Sequence, residues 1–215
     1  MGINMTKELT EQQIREVAEA NGIEYAVIRA IIDVECNGSG FLPDGTPTIL
    51  FERHKYWLQL GKINFYSIRR EMRRMRPDLC HKHVSGQGGY GYQSEQPERM
   101  DTAIKLINDI LPDIDNETFE AVRVCGLKSA SWGLGQILAS NYEKAGFDSV
   151  QDFINGMYAS EKSQLEIMVT LLINWGLLEA MKQHDWRAIA RKWNGRAYAR
   201  QGYHTKLANS YLNYA

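Results

Sequence analysis

Residues 24–35 read EYAVIRAIIDVE, and this stretch decides the fold of the chain. Apolar residues occupy most sides of a helix built from it, a pattern that predicts a buried central helix. The helix is expected to end at Glu35, because Asn37-Gly38-Ser39-Gly40 follows and has the composition of a loop. A carboxyl side chain therefore stands at the C-terminal end of an apolar segment.

This position of Glu35 favours the neutral carboxylic acid. The negative end of the helix dipole and a low local polarity both raise the pKa of a carboxyl group. A carboxylic acid with a raised pKa is what protonation of a glycosidic oxygen requires. Taken alone, the same feature is also consistent with a solvated glutamate at a helix end.

A second carboxyl group follows a short apolar run. The turn residues 43–47 (PDGTP) precede Thr48-Ile49-Leu50-Phe51, a pattern that predicts a small hairpin or an isolated strand. Glu52 comes next, and Arg53 and His54 are expected to keep its carboxylate ionised. Two carboxyl groups of opposite protonation state are the general requirement of glycoside hydrolysis. The alternative is a surface ion pair, which contributes little to stability.

Two later motifs have the composition of a sugar-binding surface. Residues 129–137 (SASWGLGQI) combine small residues and glycines, which let a ligand approach the backbone, with Gln136, whose amide suits an N-acetyl group. In residues 190–195 (ARKWNG), Trp193 and Asn194 are expected to line a cleft, just before a helix end at Gly195. The alternatives are a tight helix-entry turn on the core and a plain helix end with aromatic packing.

Helical patterns dominate the rest of the chain, so the sequence predicts a mainly α fold with one small β element. Thr10 and Gln13 have the spacing of a capping box, and the helix after them is expected to end at Asn21-Gly22. Residues 61–93 are predicted to be irregular apart from a helix near 66–75. Later helices are predicted at about 94–110, 116–124, 134–145, 149–158, 160–175, 177–183, 185–193 and 203–213.

Composition narrows the class of protein. The formal net charge is −1, which argues against nucleic acid as a partner, and no run reaches the roughly 18 apolar residues of a membrane span. The N-terminus lacks the apolar segment of a secretory signal, so the three cysteines are interpreted as reduced thiols of a cytosolic product.

The arginine-rich run 69–76 is interpreted as a solvated basic face, with anionic cell-wall material or stem-peptide carboxylates as alternative partners. Cys80, His81 and His83 are metal ligands by type only, since their spacing fits no standard site.

In their order along the chain, these motifs resemble the N-acetylmuramidase domain of phage endolysins. The resemblance spans about residue 10 to the end. It is carried by residues 34–45 (VECNGSGFLPDG), 49–54 (ILFERH), 129–137, and 185–211 with its Trp193-Asn194-Gly195.

The resemblance implies a lysozyme-like helical fold, with one small β hairpin or sheet near the catalytic cleft, that hydrolyses the β-1,4 bond between N-acetylmuramic acid and N-acetylglucosamine. Glu35 falls on the catalytic glutamate of the family, and Glu52 falls on the glutamate of its Phe-Glu-Arg-His segment. No metal or cofactor is implied. The residues expected to bind substrate are Phe51, His54, Trp132, Gln136, Tyr142, Trp193 and Asn194.

The same resemblance sets expectations about organisation and partners. Residues 1–215 are predicted to form a single catalytic domain without a separate cell-wall-binding module, since no linker or repeat interrupts them. The partner is expected to be bacterial peptidoglycan, reached by a monomer made in the host cytoplasm and released with the help of a holin, without stable membrane insertion.

The sequence departs from the family at Cys36, usually serine, at Gly135, usually bulky, and at Trp193, usually tyrosine. The glycine is expected to widen the cleft. Three alternatives stay open: a lytic transglycosylase that forms 1,6-anhydro muropeptides, a non-catalytic peptidoglycan-binding module, and a basic helical protein that binds nucleic acid.

Overall fold

The computed structural model describes residues 7–36, 38–86 and 89–215, and within them the chain forms eleven α-helices and one small sheet. The prediction of a mainly α fold is therefore confirmed. The helices are α1 (Glu11–Ala20), α2 (Tyr25–Glu35), α3 (Arg53–Lys62), α4 (Tyr66–Met75), α5 (Gln96–Ile110), α6 (Asn116–Leu127), α7 (Val150–Ala159), α8 (Glu161–Asn174), α9 (Leu178–Lys182), α10 (Trp186–Asn194) and α11 (Tyr203–Tyr211). The strands are β1 (Ile49–Phe51), β2 (Ala130–Trp132) and β3 (Ile137–Leu138).

Helix α2 is the buried central helix that the sequence predicts. Val27, Ile28 and Ile31 are almost completely buried, and burial of each such side chain contributes about 1.5–3 kcal/mol. Helix α1, near the start of the sequence, and helix α11, near its end, both pack against α2. The predicted capping box begins α1, with the Thr10 hydroxyl accepting from the Gln13 backbone.

The sheet is antiparallel, with the order β1-β2-β3. Ile49 pairs with Trp132, and Trp132 pairs in turn with Ile137. β1 is therefore not isolated, because its partner β2 comes from far along the chain. The Pro-Asp-Gly turn before it does close a small local hairpin, in which Phe41 forms an antiparallel bridge with Pro47 and Thr48 N donates to Gly40 O at 2.9 Å. β2 and β3 form a further hairpin.

The prediction of a helix over residues 134–145 is wrong. Residues 133–136 form the turn of the hairpin, and β3 follows directly. Gly133 and Gln136 have φ angles of 68° and 47°, which no right-handed helix contains. Gly133 N donates to Thr48 O at 2.7 Å, so pairing with a distant segment overrides the local helical preference.

Helix α3 is present where the sequence predicts none. Its buried side chains include Tyr56 and Leu60, whose spacing of four residues is that of one helix face. This signal is weakened because Leu58 is apolar but exposed, Gln59 is polar but buried, and Gly61 lies near the end of the helix. The helix matters for the site because it begins immediately after Glu52.

A cluster of buried hydrophobic side chains contains members from all eleven helices described. Fully buried Phe51, Tyr56 and Phe153 are among its largest members. Across the described ranges, no helix combines the length and the apolar character that a transmembrane segment requires.

Candidate active site

Glu35 is the last residue of α2, and its side chain is half-buried. Its carboxyl Oε1 accepts a hydrogen bond of 2.8 Å from the amide Nδ2 of Asn194, the last residue of α10. Helices from the two ends of the chain therefore meet at this one carboxyl group, and its side chain does not extend freely into solvent.

Burial raises the pKa of Glu35, while the hydrogen bond from Asn194 and the charge of Lys206 lower it. The net effect is a raised pKa, which is the direction that the sequence predicts. The dominant cause is desolvation, because a charge loses hydration energy when neighbouring apolar groups exclude water. Glu35 therefore has the protonation behaviour of a candidate general acid.

Trp193, a residue of α10, packs against the turn of the β2–β3 hairpin. Its ring packs against Trp175 with centroids 5.7 Å apart and ring planes at 65°. A Cβ at Gly135 would lie 3.6 Å from Trp193 Cζ2 and 2.9 Å from Met168 Sδ. The space that a side chain would occupy at Gly135 is thus already filled, so the glycine does not widen a cleft as expected. It lets the large indole ring approach the turn.

Gln136 is the exposed residue of the same turn. Its Nε2 donates to Gly133 O at 2.9 Å and to Thr48 O at 3.3 Å. These bonds fix the side chain against the backbone with the residue in the left-handed region, at φ 47°. Gln136 is therefore a rigid polar group at the surface, as a sugar-binding amide needs to be.

Glu52 connects β1 to α3 and is half-buried. Its backbone N donates to Ser129 O at 2.9 Å, which fixes the start of α3 to the residue before β2. Burial raises the pKa of Glu52, and the nearby charge of Lys55 lowers it. This second carboxyl group is thus also more basic than an exposed glutamate.

The expectation that Arg53 and His54 keep Glu52 ionised is wrong. The guanidinium of Arg53 turns away and donates to backbone carbonyls of residues 77, 83 and 84 at 2.9–3.3 Å. His54 Nε2 lies 3.7 Å from Glu52 Oε2, but burial and the charges of Lys55 and Arg53 lower the pKa of this histidine. The Tyr90 hydroxyl lies 3.5 Å from His54 Nδ1 on the other side of the ring.

The remaining residues predicted to bind substrate lie elsewhere. The side chain of Phe51 is fully buried against Tyr56, and Trp132 is 2% exposed with its indole N–H donating to Leu127 O at 3.4 Å. These two rings offer no surface to a ligand and support the sheet from inside. Tyr142 lies beside Lys128, in a depression between α3 and α6.

Glu161, a buried carboxylate at the start of α8, is not among the residues that the sequence predicts for the site. Its Oε1 accepts from Gly40 N at 2.6 Å and from Ser39 Oγ at 2.9 Å, and its Oε2 accepts from Leu9 N at 2.7 Å. Glu161 therefore holds the loop that follows Glu35. A polar residue in the first helical turn is ordinary in a sequence, so no signal distinguished it.

Gln164, also not predicted for the site, lies one turn further along α8 and is 1% exposed. Its Oε1 accepts from Leu134 N at 2.7 Å, and its Nε2 donates to Gly40 O at 3.3 Å. It thereby joins the loop after α2 to the turn of the hairpin. Together, Glu161 and Gln164 form a clamp of two buried polar side chains behind the candidate site.

The part of the chain that the structure describes holds no group of three or more His, Cys, Asp or Glu side chains placed to bind a metal. Cys80, a metal ligand by residue type, is buried with its Sγ 3.7 Å from Arg69 O. His81 and His83 lie close together, with ring centroids 5.2 Å apart.

Comparisons with known proteins identify the family of the chain. A model of the N-acetylmuramidase family matches residues 24–215. The crystal structure of Burkholderia AP3 phage endolysin is similar, with a TM-score of 0.79 and 29% identity over 97% of this chain and 72% of that chain. None of the curated proteins compared with the chain matches it.

The helical fold with its small sheet, the family match and the similarity to a phage endolysin define the chain as a glycoside hydrolase. The family match covers most of the chain. The chain belongs to the N-acetylmuramidase family, and its substrate is bacterial peptidoglycan.

Proposed function

We propose that the chain acts as an endolysin-type muramidase, with Glu35 as the general acid that cleaves the β-1,4 bond between N-acetylmuramic acid and N-acetylglucosamine. The observation that carries this proposal is the carboxyl group of Glu35. It is half-buried, has a raised pKa and is oriented by Asn194. The similarity to a phage endolysin supports the biological context.

In this mechanism, Glu35 donates its proton to the leaving glycosidic oxygen while positive charge develops on the sugar. The amide of Asn194 donates to Oε1 of Glu35, and a hydrogen bond to a carboxyl oxygen favours the ionised form. The bond therefore strengthens as the proton leaves, and it stabilises the carboxylate that remains. General acid catalysis of this type accelerates a reaction about 10²–10⁴-fold.

Glu52 is the proposed second carboxyl group, either stabilising the positive charge or orienting the attacking water. The nearby charge of Lys55 lowers the pKa of Glu52 and so favours its ionised form, which either role requires. His54 at 3.7 Å and Tyr90 behind it are placed to orient it. The distance between the two carboxyl groups would distinguish two stereochemical outcomes at the sugar carbon. About 6.5–9.5 Å accompanies inversion of configuration, and about 5–5.5 Å accompanies retention.

The proposed substrate contacts are His54, Gln136, Trp193 and Asn194, all of which are at least partly accessible. The aromatic face of Trp193 suits the apolar face of a sugar ring, and the amide of Gln136 suits an N-acetyl group. Phe51 and Trp132 contribute indirectly, by holding the sheet that carries the turn.

We further propose that residues 1–215 act as one catalytic domain and as a monomer. The shared core supports this, since it draws on every described helix. In this proposal the enzyme is made in the host cytoplasm, reaches the wall after a holin opens the membrane, and requires no metal, cofactor or nucleic acid.

Digestion of purified peptidoglycan, with the products read by mass spectrometry, tests the proposed reaction. Hydrolysis yields muropeptides with a free reducing N-acetylmuramic acid. A lytic transglycosylase would yield 1,6-anhydro products that are lighter by one water. Predominantly anhydro products would replace the hydrolase by the transglycosylase, and binding to the wall without any released product would indicate a non-catalytic module.

The alkaline limb of the pH profile is expected to move when Lys206 is replaced. Glu35 must be protonated to act, so activity falls as pH rises through its pKa. Lys206 lowers that pKa through its charge, so Lys206→Gln raises the pKa and moves the limb to higher pH. For an exposed charge the expected shift is about a few tenths of a pH unit at low salt.

The measurement is kcat/KM against pH for the wild type, Lys206→Gln and Lys105→Gln. Lys105 is a matched control because it pairs with Asp101 on the surface of α5. A limb that stays in place or moves to lower pH in Lys206→Gln would contradict the assignment of that limb to Glu35.

A further inference from the structure

A groove beside α3 is lined by cationic and apolar side chains and has a volume of about 430 Å³. Lys55 and Lys62 belong to α3 and Arg69 to α4. Leu58 and Tyr66, which are 54% and 46% exposed, supply apolar surface. No acidic residue lines this groove within the described ranges. Its chemistry therefore favours an anionic ligand that also has apolar groups.

Arg69 is held in place before any ligand arrives. Its guanidinium lies 4.5 Å from the ring centroid of Trp57 and 4.8 Å from that of Tyr66, and its Nη1 donates to Trp57 O at 3.1 Å. A Cβ at Gly61 would collide with this guanidinium, so the glycine makes room for it. A fixed planar guanidinium loses little entropy on binding, and its geometry matches a carboxylate.

The arginines of residues 69–76 differ in their surroundings. Arg74 and Arg76 form ion pairs with Glu71 and Asp78 at 2.6 Å and 2.8 Å, so their charges are locally compensated. These two arginines fit the solvated face that the sequence predicts. Arg69 alone among the arginines of residues 69–76, all of which the structure describes, lines the groove.

The groove begins beside the candidate active site. Lys55 lies one helical turn after Glu52, and its charge acts on that carboxyl group. Lys55 and Lys62 are seven residues apart, which places them on one face of α3, about 10 Å apart along the axis. The cationic side chains of Lys55 and Lys62 therefore lie along α3, starting near the place where a glycan strand would contact Glu52.

We propose that this groove binds the acidic peptide stems of peptidoglycan through their carboxylates, alongside the glycan strand in the active site. The inference rests on the proposed function, because each stem is attached to a muramoyl sugar. Carboxylates of the stem pair with Arg69 and Lys62, and its alanine methyl groups contact Leu58 and Tyr66. The neighbouring depression, which Lys62 also lines, contains Glu120 and Glu143, whose carboxylates would repel the phosphates of a nucleic acid.

The test compares glycan strands that carry their stems with the same strands after an amidase has removed the stems. Lys62→Gln is the main variant, since Lys62 is exposed and lies away from both glutamates. We expect its KM to rise about five-fold on stem-bearing strands, the effect of one charge-assisted contact, and to stay unchanged on bare strands. Lys105→Gln is expected to leave both values unchanged. Arg69→Lys keeps the charge but loses the planar fork, and it is expected to act in the same direction as Lys62→Gln.

Binding of an isolated acidic stem tetrapeptide, measured by calorimetry, separates this inference from the proposed function. We expect binding by the wild type and several-fold weaker binding by Lys62→Gln. Equal KM changes on both substrates, tetrapeptide binding that does not depend on Lys62, or displacement of the tetrapeptide by a DNA oligonucleotide would overturn the assignment. Failure of the wild type to cleave either substrate would count against the proposed function instead.

Discussion

Glu35→Gln is expected to remove nearly all lytic activity while the protein stays folded. The glutamine amide keeps the shape of the side chain, and its oxygen can still accept the hydrogen bond from Asn194. It carries no carboxylic proton to donate to the leaving oxygen. We expect kcat to fall by about 10²–10⁴-fold or more, the usual contribution of a general acid.

Turnover of purified peptidoglycan, followed by the release of reducing sugars, measures this effect. Glu19→Gln is a matched control, because it makes the same substitution at an exposed position of α1. Thermal unfolding of both variants should resemble that of the wild type. A folded Glu35→Gln protein with normal turnover would exclude Glu35 from the role of acid.

Glu161→Ala is expected to cause the largest loss of stability among the substitutions considered. The carboxylate accepts hydrogen bonds from Gly40 N, Ser39 Oγ and Leu9 N, and the residue is 6% exposed. Its removal leaves the buried Gly40 N–H and the part-buried Leu9 N–H without their acceptor. The expected cost is about 3–5 kcal/mol in total, since a hydrogen bond to a charged group contributes about 1.5–3 kcal/mol. For a protein of this size, that corresponds to a decrease in Tm of roughly 6–20 °C.

Urea unfolding of the wild type, Glu161→Ala and Glu166→Ala tests this expectation. Glu166 lies on the same helix but is exposed, so its replacement is expected to change the free energy of unfolding by less than about 0.5 kcal/mol. Activity measured well below the unfolding transition should also fall in Glu161→Ala, because the loop after Glu35 loses its anchor. Similar stabilities of the two variants would show that the clamp contributes little.

Much of the helical architecture was predictable because it rests on local patterns. The apolar stretch of α2, the capping box at Thr10 and the helix end at Gly195 each depend on neighbouring residues, and each is present in the structure. The sequence also predicts the raised pKa of Glu35, since the helix that carries it is apolar.

Elements that depend on distant partners were not predictable in the same way. The turn at Gly133–Gln136 looks helical in sequence, yet hydrogen bonds to Thr48 and the pairing of β1 with β2 decide its structure. The environment of Glu52 was also missed, because the direction in which Arg53 points depends on carbonyls 24 to 31 residues further along the chain.

The sequence by itself determined which helix is central and which carboxyl group stands at its end. These features follow from side-chain periodicity and from the composition of adjacent residues. Only the tertiary structure decided that Asn194, 159 residues away, donates to Glu35 and that Glu161 and Gln164 hold the loops behind it. The physical reason is that hydrogen bonds between distant segments leave no periodic signature, since each is set by how the helices pack.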